Sequence, residues 1–227
     1  MTRTKSFPDP RLRRRHPPMG EGMVYATTSA QLLDKPEALM LPALDVVLDR
    51  RQSHREMAPP SLADLGHLLW LADRVRQWQD AWPGPLQTRP TPAAGGLHAL
   101  DLLVSRLPYL PGLHLYEPFS HSLLRVDPIR QKVLDAYHEQ VEILFPQSRG
   151  CILTLLADHG KLNAKYLNWE TLALRDAGAI LATLGICAAG IGMGYCIGGI
   201  LGNELIAADV FPEGHRVPVG CAIFGSI

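Results

Sequence analysis

Lysine is scarce in this chain. Only five of its 22 basic residues are lysines, so a lysine beside any candidate site carries more weight than usual. No charge of one sign prevails, since 22 acids balance 22 bases, and no overall field directs the chain to nucleic acid or an anionic membrane surface. The four cysteines, Cys151, Cys187, Cys196 and Cys221, lie in apolar runs and form no CxxC pair. That favours buried thiols in a reducing, cytoplasmic setting over disulfides or zinc ligands. No HExxH or HxxxH spacing occurs among the nine histidines, so no metal site is expected. There is no G-K-[ST] and hence no P-loop, and no apolar h-region follows the first basic residues, which excludes a secretory signal.

Charge is missing altogether from Ala177 to Asn203. Roughly 20 apolar residues suffice to cross a bilayer, but Gly190, Gly192, Gly194, Gly198 and Gly199 suit no ordinary spanning helix, and no membrane segment is expected. The stretch reads as a buried helix to about Ala189, then a loop from Gly190 to Gly202. Glycine is placed where φ must be positive or where something approaches the main chain closely. A planar cofactor and a tight helix–strand connection both answer to that description.

At 227 residues, 47% hydrophobic and 19% charged, the chain can bury a sizeable core. Residues 1–22 are expected to form a disordered, basic, Pro/Arg-rich tail, with Arg3, Lys5, Arg11, Arg13, Arg14 and Arg15 set against Asp9. Residues 23–227 would form the domain. Leu44, Val47 and Leu48 have helical spacing. Ser61 followed by Asp64 reads as a helix N-cap before the stripe Leu62, Leu65, Leu68, Leu69 and Ala72. Gln77–Gly96, dense in proline and glycine, reads as a long functional loop. Strands are predicted at Leu100–Val104, Leu113–Tyr116, Ser122–Val126, Cys151–Leu156 and Val217–Phe224. Helices are predicted at Pro128–Leu144, from Asn163 or Tyr166 to Ala189, and at Glu204–Asp209 after Asn203. Hairpin-length connections and the lack of regular βαβ repeats predict an α+β domain with a mostly antiparallel sheet.

Four segments could carry chemistry. Arg51-Gln52-Ser53-His54-Arg55 places two guanidinium groups around a hydroxyl at a helix end, which suits a phosphate; such arginines also simply complement a helix dipole. Pro92-Ala93-Ala94-Gly95-Gly96 could let backbone amides reach a ring edge. Lys165-Tyr166, at the start of an element, could point both side chains into one pocket, the amine as base and the phenol as donor or relay. Gly192-x-Gly194-x-x-x-Gly198 misses the dinucleotide fingerprint and follows a helix, so it is not a Rossmann turn.

Taken in order, these segments resemble the FMN-dependent nitroreductase family from about Leu44 to Phe224. Lys165-Tyr166 and the middle strands resemble its SagB-type dehydrogenase branch, which oxidises thiazoline and oxazoline rings in peptides to thiazoles and oxazoles. The resemblance implies an intertwined homodimer with FMN at its interface. Arg51, Gln52, Ser53 and Arg55 match the segment holding the FMN phosphate. Ala93, Ala94 and Gly95 match the loop along the isoalloxazine ring, Gly198 and Gly199 the glycines whose backbone meets the flavin, and Lys165 and Tyr166 the pair used as base. Ala93 stands where the family often has serine, and Arg216 is the candidate for the basic residue many members place near the C-terminus. The implied substrate is a peptide or carrier-bound precursor, with a cyclodehydratase complex as a candidate partner. The rivals are an NAD(P)H-dependent nitro or quinone reductase, a cyclic dipeptide oxidase, and a flavin-free binding subunit of a peptide-modifying complex.

Overall fold

The computed structural model describes residues 8–14, 25–81, 86–127, 129–210 and 214–227. In chain order the strands are β1 (Arg11–Leu12), β2 (Thr27–Leu32), β3 (Gln77–Gln79), β4 (Leu86–Thr88), β5 (Leu100–Ser105), β6 (His114–Glu117), β7 (Ser122–Val126), β8 (Cys151–Asp158), β9 (Tyr166–Leu167), β10 (Gly194–Ile197) and β11 (Arg216–Gly225). The helices are α1 (Leu44–Arg50), α2 (Leu62–Asp73), α3 (Gln131–Leu144), α4 (His159–Lys165), α5 (Glu170–Gly190) and α6 (Glu204–Val210).

Seven strands form one sheet in the order β10-β11-β8-β5-β6-β7-β2, and every neighbouring pair is antiparallel. The α+β class with a mostly antiparallel sheet is therefore as expected. Alternation along the central strands sorts side chains between two cores. Leu102 and Val104 of β5 and Leu153 and Leu155 of β8 join Leu65, Leu68, Leu69 and Leu184 from α2 and α5 on one face. Leu103, Ile152 and Leu156 join Leu134, Tyr137 and Ile206 from α3 and α6 on the other. Each fully buried leucine contributes roughly 1.5–3 kcal/mol. Because both faces of β8 are covered, its sequence reads as a continuous apolar run, not an alternation.

Ser61 caps α2 as its sequence predicts, its Oγ accepting from Asp64 N–H at 3.1 Å. Three segments depart from expectation. The loop Gln77–Gly96 contains the pair β3–β4 and a 3₁₀ turn at Ala94–Gly96. The long helix does not run through Tyr166: α4 ends at Lys165, β9 follows, and Asn168 turns the chain at φ +56° before α5 begins. Asparagine tolerates this left-handed conformation better than most residues. The glycine-rich stretch is not one loop. Gly192, at φ +74°, makes a tight turn into β10, and only then does an irregular segment follow. A Cβ on Gly194 would stand 2.5 Å from the Ile227 side chain, and one on Gly198 would stand 2.5 Å from Cys221 Sγ. These two glycines answer to close packing, the helix–strand reading of the pair offered above.

The tail is also partly different from expectation. Residues 1–7 and 15–22 lie outside the described residues, as does Pro128 at the expected start of α3. Residues 8–14 are placed, however, and there β1 pairs antiparallel with β9, Arg11 opposite Leu167 and Leu12 opposite Tyr166. Among the described residues α5 is the one helix long and apolar enough to cross a bilayer. In this fold it packs on α2, β10 and β11 and contributes Ala177, Ile180, Leu181 and Leu184 to the core.

Candidate functional site

Lys165 and Tyr166 meet the Ala93–Gly95 loop. As the last residue of α4, Lys165 sends its Nζ to donate to the Gly95 carbonyl at 3.1 Å. Tyr166 opens β9, and its hydroxyl comes up against the same glycine. The change from helix to strand between them lets neighbouring side chains converge, where a continuous helix would set them about 100° apart. Gly95 has φ +58°, and a Cβ there would lie 2.7 Å from Lys165 Nζ and would collide with the Tyr166 oxygen. Only glycine fits.

The loop is fastened by a residue that sequence reasoning missed. Asp176, on the second turn of α5, accepts the Ala94 N–H with both carboxylate oxygens, at 2.9 and 3.1 Å. The Ala94 amide is thus engaged within the fold. Burial raises the Asp176 pKa against the lowering effect of the Ala94 N–H. Burial, followed by the charge of Asp176, raises Tyr166. A phenol so placed keeps its proton at neutral pH. The available signal was position: Asp176 is the last charge before the uncharged run.

Arg51, Gln52, Ser53 and Arg55 follow α1, all exposed, while the His54 N–H donates to the Tyr195 carbonyl at 3.1 Å. The side chains of Arg51, Ser53 and Arg55 form no hydrogen bond or ion pair with the described residues, so both guanidinium groups remain available to an anion. A cavity of about 720 Å³ is lined by Arg50, Gln52, His54, Gly190, Met193 and Tyr195, among others, and of the predicted phosphate residues only Gln52 is part of that lining. The buried Tyr195 hydroxyl borders this region without a hydrogen-bond partner. Gly198 donates its N–H to the Cys221 carbonyl at 2.9 Å, and Gly199 is exposed with open space above it. Arg216 does not reach toward this segment. It is buried in an ion-pair network with Asp101 at 2.6 Å and Asp158 at 3.0 Å, which removes it as the substitute basic residue.

The two groups of residues lie near opposite ends of α5. Asp176 fastens the Lys165–Tyr166 group near its start, whereas Val47 of α1 packs beside Gly190 at its end. Fourteen residues of helix separate those points, roughly 21 Å at 1.5 Å per residue. No single contact within one chain bridges that distance. Among the described residues no three His, Cys, Asp or Glu side chains are grouped so as to hold a metal ion, and all four cysteines are free thiols.

No protein-family model matches the chain, and no curated protein sequence matches it. Several solved structures share its architecture. One, described as a nitroreductase of Ralstonia eutropha, is 21% identical with a TM-score of 0.66, over 93% of this chain and 98% of that one. Another, described as a nitroreductase of Anabaena variabilis, is 17% identical with a TM-score of 0.61; the match covers 94% of this chain but only 42% of the Anabaena chain. A third comes from the E. coli microcin synthetase McbBCD complex with truncated pro-MccB17 bound, 17% identical with a TM-score of 0.59 over 87% of this chain and 78% of that one. Likeness at this level of identity speaks for architecture and not for chemistry. The chain has the nitroreductase fold.

Proposed function

We propose that this chain is an FMN-dependent oxidoreductase that dehydrogenates azoline rings, thiazoline or oxazoline to thiazole or oxazole, in a peptide or carrier-bound precursor. One observation carries the reading: Lys165 and Tyr166 meet Gly95, some 70 residues earlier, with Nζ 3.1 Å from its carbonyl oxygen. The residues present fit the cofactor. Arg51 and Arg55 are exposed guanidinium groups four residues apart in the chain, and Gly199 offers main chain with open space above it. When bound, FMN supplies the two-electron acceptor. The chain's own part is proton handling and alignment. Lys165 would take the proton from the azoline ring carbon, Tyr166 would hold its proton as donor or relay, and Asp176 fixes the Ala94–Gly95 loop that Lys165 meets.

A homodimer belongs to the same reading. The points of α5 beside the base group and beside α1, Asp176 and Gly190, lie roughly 21 Å apart along the helix, and in a homodimer a second copy would bring one group of each kind together. The outer face of α5, with Leu174, Gly178 and Ala182 exposed at spacing four, is small and apolar enough to meet such a copy. Peptide modification draws support from the microcin synthetase neighbour, whose structure holds a truncated pro-peptide. Free thiols are in keeping with a cytoplasmic location. An NAD(P)H-dependent nitro or quinone reductase is the second reading, favoured by the Ralstonia structure, whose length the match spans almost completely.

The test has two stages. Purified protein should carry flavin absorption bands, and Arg55→Ala should weaken FMN binding by roughly tenfold or more, since a charge-assisted hydrogen bond is worth about 1.5–3 kcal/mol. With an azoline-containing peptide, mass spectrometry should show a loss of about 2 Da per ring, the two hydrogens removed. Lys165→Ala should slow that loss by about 10²–10⁴ while flavin stays bound. A wild type that reduces nitroaromatics and leaves azolines untouched would install the second reading.

A further inference from the structure

Leu162, Tyr166 and Trp169 pack the segment carrying the base pair onto the core, but its backbone at the pair has few hydrogen-bond partners. β9 is two residues long, and among the described residues its one ladder partner is β1, from the N-terminal arm. The ties between arm and segment fall on Lys165 and Tyr166 themselves and on the residues either side of them, Leu12 standing opposite Tyr166 in the ladder. Arg13 N–H donates to the Lys165 carbonyl at 3.0 Å. Its guanidinium embraces Asn163, Nε to the main-chain oxygen at 2.5 Å and Nη2 to the side-chain oxygen at 2.6 Å. At the other end Asn168 Nδ2 donates to the Asp9 carbonyl at 3.0 Å. The arm thus grips the chain at Asn163, Lys165 and Asn168, three points spanning the two residues that meet Gly95.

We infer that the arm Asp9–Arg13 is a positioning element of the active site, an added strand that holds Lys165 and Tyr166 against the Gly95 loop, with Arg13 as its main anchor. The inference rests on the proposed role of Lys165 as base. The physical grounds are those of strand addition: main-chain bonds give the hold and a bidentate guanidinium fixes the register. Freed of its ladder partner, a two-residue strand loses the bonds that define its backbone. An amine and a hydroxyl displaced by even 1 Å lose most of their effect on a proton transfer.

A deletion and three substitutions at Arg13 separate the contributions. Deletion of residues 1–14 removes the arm, Arg13→Pro removes the main-chain donor, and Arg13→Ala removes only the guanidinium. The first readout needs neither substrate nor flavin. Amide exchange in peptides spanning Asn163–Trp169 should rise roughly tenfold or more in the deletion and in Arg13→Pro. Amine labelling of Lys165, followed by mass spectrometry against Lys132 as internal reference, should accelerate in both. Arg13→Ala should fall between them and wild type, and Arg13→Lys, which keeps one donor, should recover part of the difference. The second readout is turnover of the azoline peptide. With flavin absorption retained, kcat should drop roughly tenfold or more in the deletion, while KM stays within about twofold. Unchanged exchange and labelling in the deletion would show that the arm does not hold this segment. Faster exchange with unchanged kcat would show that the hold does not position the base, and a higher kcat would make the arm an obstruction. All three overturn the inference. If wild type oxidises no azoline but exchange and labelling respond as stated, the reading of Lys165 as an azoline base falls while the arm's hold on the segment stands.

Discussion

Gly95 is where the chemistry of the candidate site and the chemistry of the backbone coincide. Its φ of +58° is one that a residue with a Cβ adopts only at a cost, and the space a Cβ would need is taken by Lys165 and Tyr166. Gly95→Ala should therefore do two things. It should lower stability by roughly 1–2 kcal/mol for the left-handed backbone alone. It should also push the amine and phenol off the loop, so that turnover falls by a larger factor than the loss of stability explains. Thermal unfolding and azoline turnover, measured on one preparation, separate the two effects. Equal activity at reduced stability would mean that Gly95 serves only the turn. Gly214→Ala is the control, because its φ of +75° carries the same backbone cost while a Cβ there meets nothing within 4 Å.

At the scale of elements, α5 links both halves of the site and presents its outer face at Leu174, Gly178 and Ala182. Ala182→Arg should leave the core intact, since the residue points away from it, but should put a charge into any helix–helix contact. Light scattering should give twice the 25.0 kDa chain mass for wild type and a smaller mass for the variant. A wild type that is monomeric with flavin bound would contradict the shared site. Much at this scale was legible in the sequence. The Ser61 cap, the helices α1, α2 and α6, and the strands β7 and β8 follow from spacing, capping and apolar runs, all local signals. What was not legible depends on partners distant in sequence. β1 and β9 exist only through each other, 150 residues and more apart. Nothing in the composition of the arm distinguishes a solvated tail from a strand supplied with a ladder partner. β10 was hidden among glycines whose reason is the packing of Ile227, Met57 and Cys221 against them. In the candidate site, residue types and order indicated the Lys165–Tyr166 pair and the Gly95 loop as separate features. Their meeting depends on the helix-to-strand change at Lys165, and Asp176 entered only through the fold.

Over the whole molecule, pH reads out how the histidines are buried. Burial lowers His98, His114 and His138 to about 4. His98 and His138 are bonded through Nε2 to the Gln87 carbonyl and the Ser105 hydroxyl, each at 3.0 Å, and His114 Nδ1 is buried without a partner. All three rings are neutral in the fold, while in the unfolded chain they titrate near 6.5. Between about pH 6.5 and 4 the unfolded chain takes up protons that the fold refuses, so stability is whole above pH 6.5 and falls as pH drops. Asp73 works the other way. Burial outweighs the nearby Arg89 and pushes it up to about 6, so its contribution declines as pH rises toward that value. Burial lowers His121 as well and raises Asp176 alongside Asp73, so four histidines outnumber two aspartates, and the net slope should follow the histidines at about 1.4 kcal/mol per pH unit for each proton of excess. Urea unfolding at pH 7.0, 6.0 and 5.0, a series confined to the titration range of the histidines, should show stability decreasing toward acid. His114→Leu, which replaces a buried ring that lacks one hydrogen bond with an apolar side chain of similar reach, should flatten that decrease by the share of one proton. A stability constant across this range would mean that the rings accept protons in place, and that the three sites are wetter than their burial indicates.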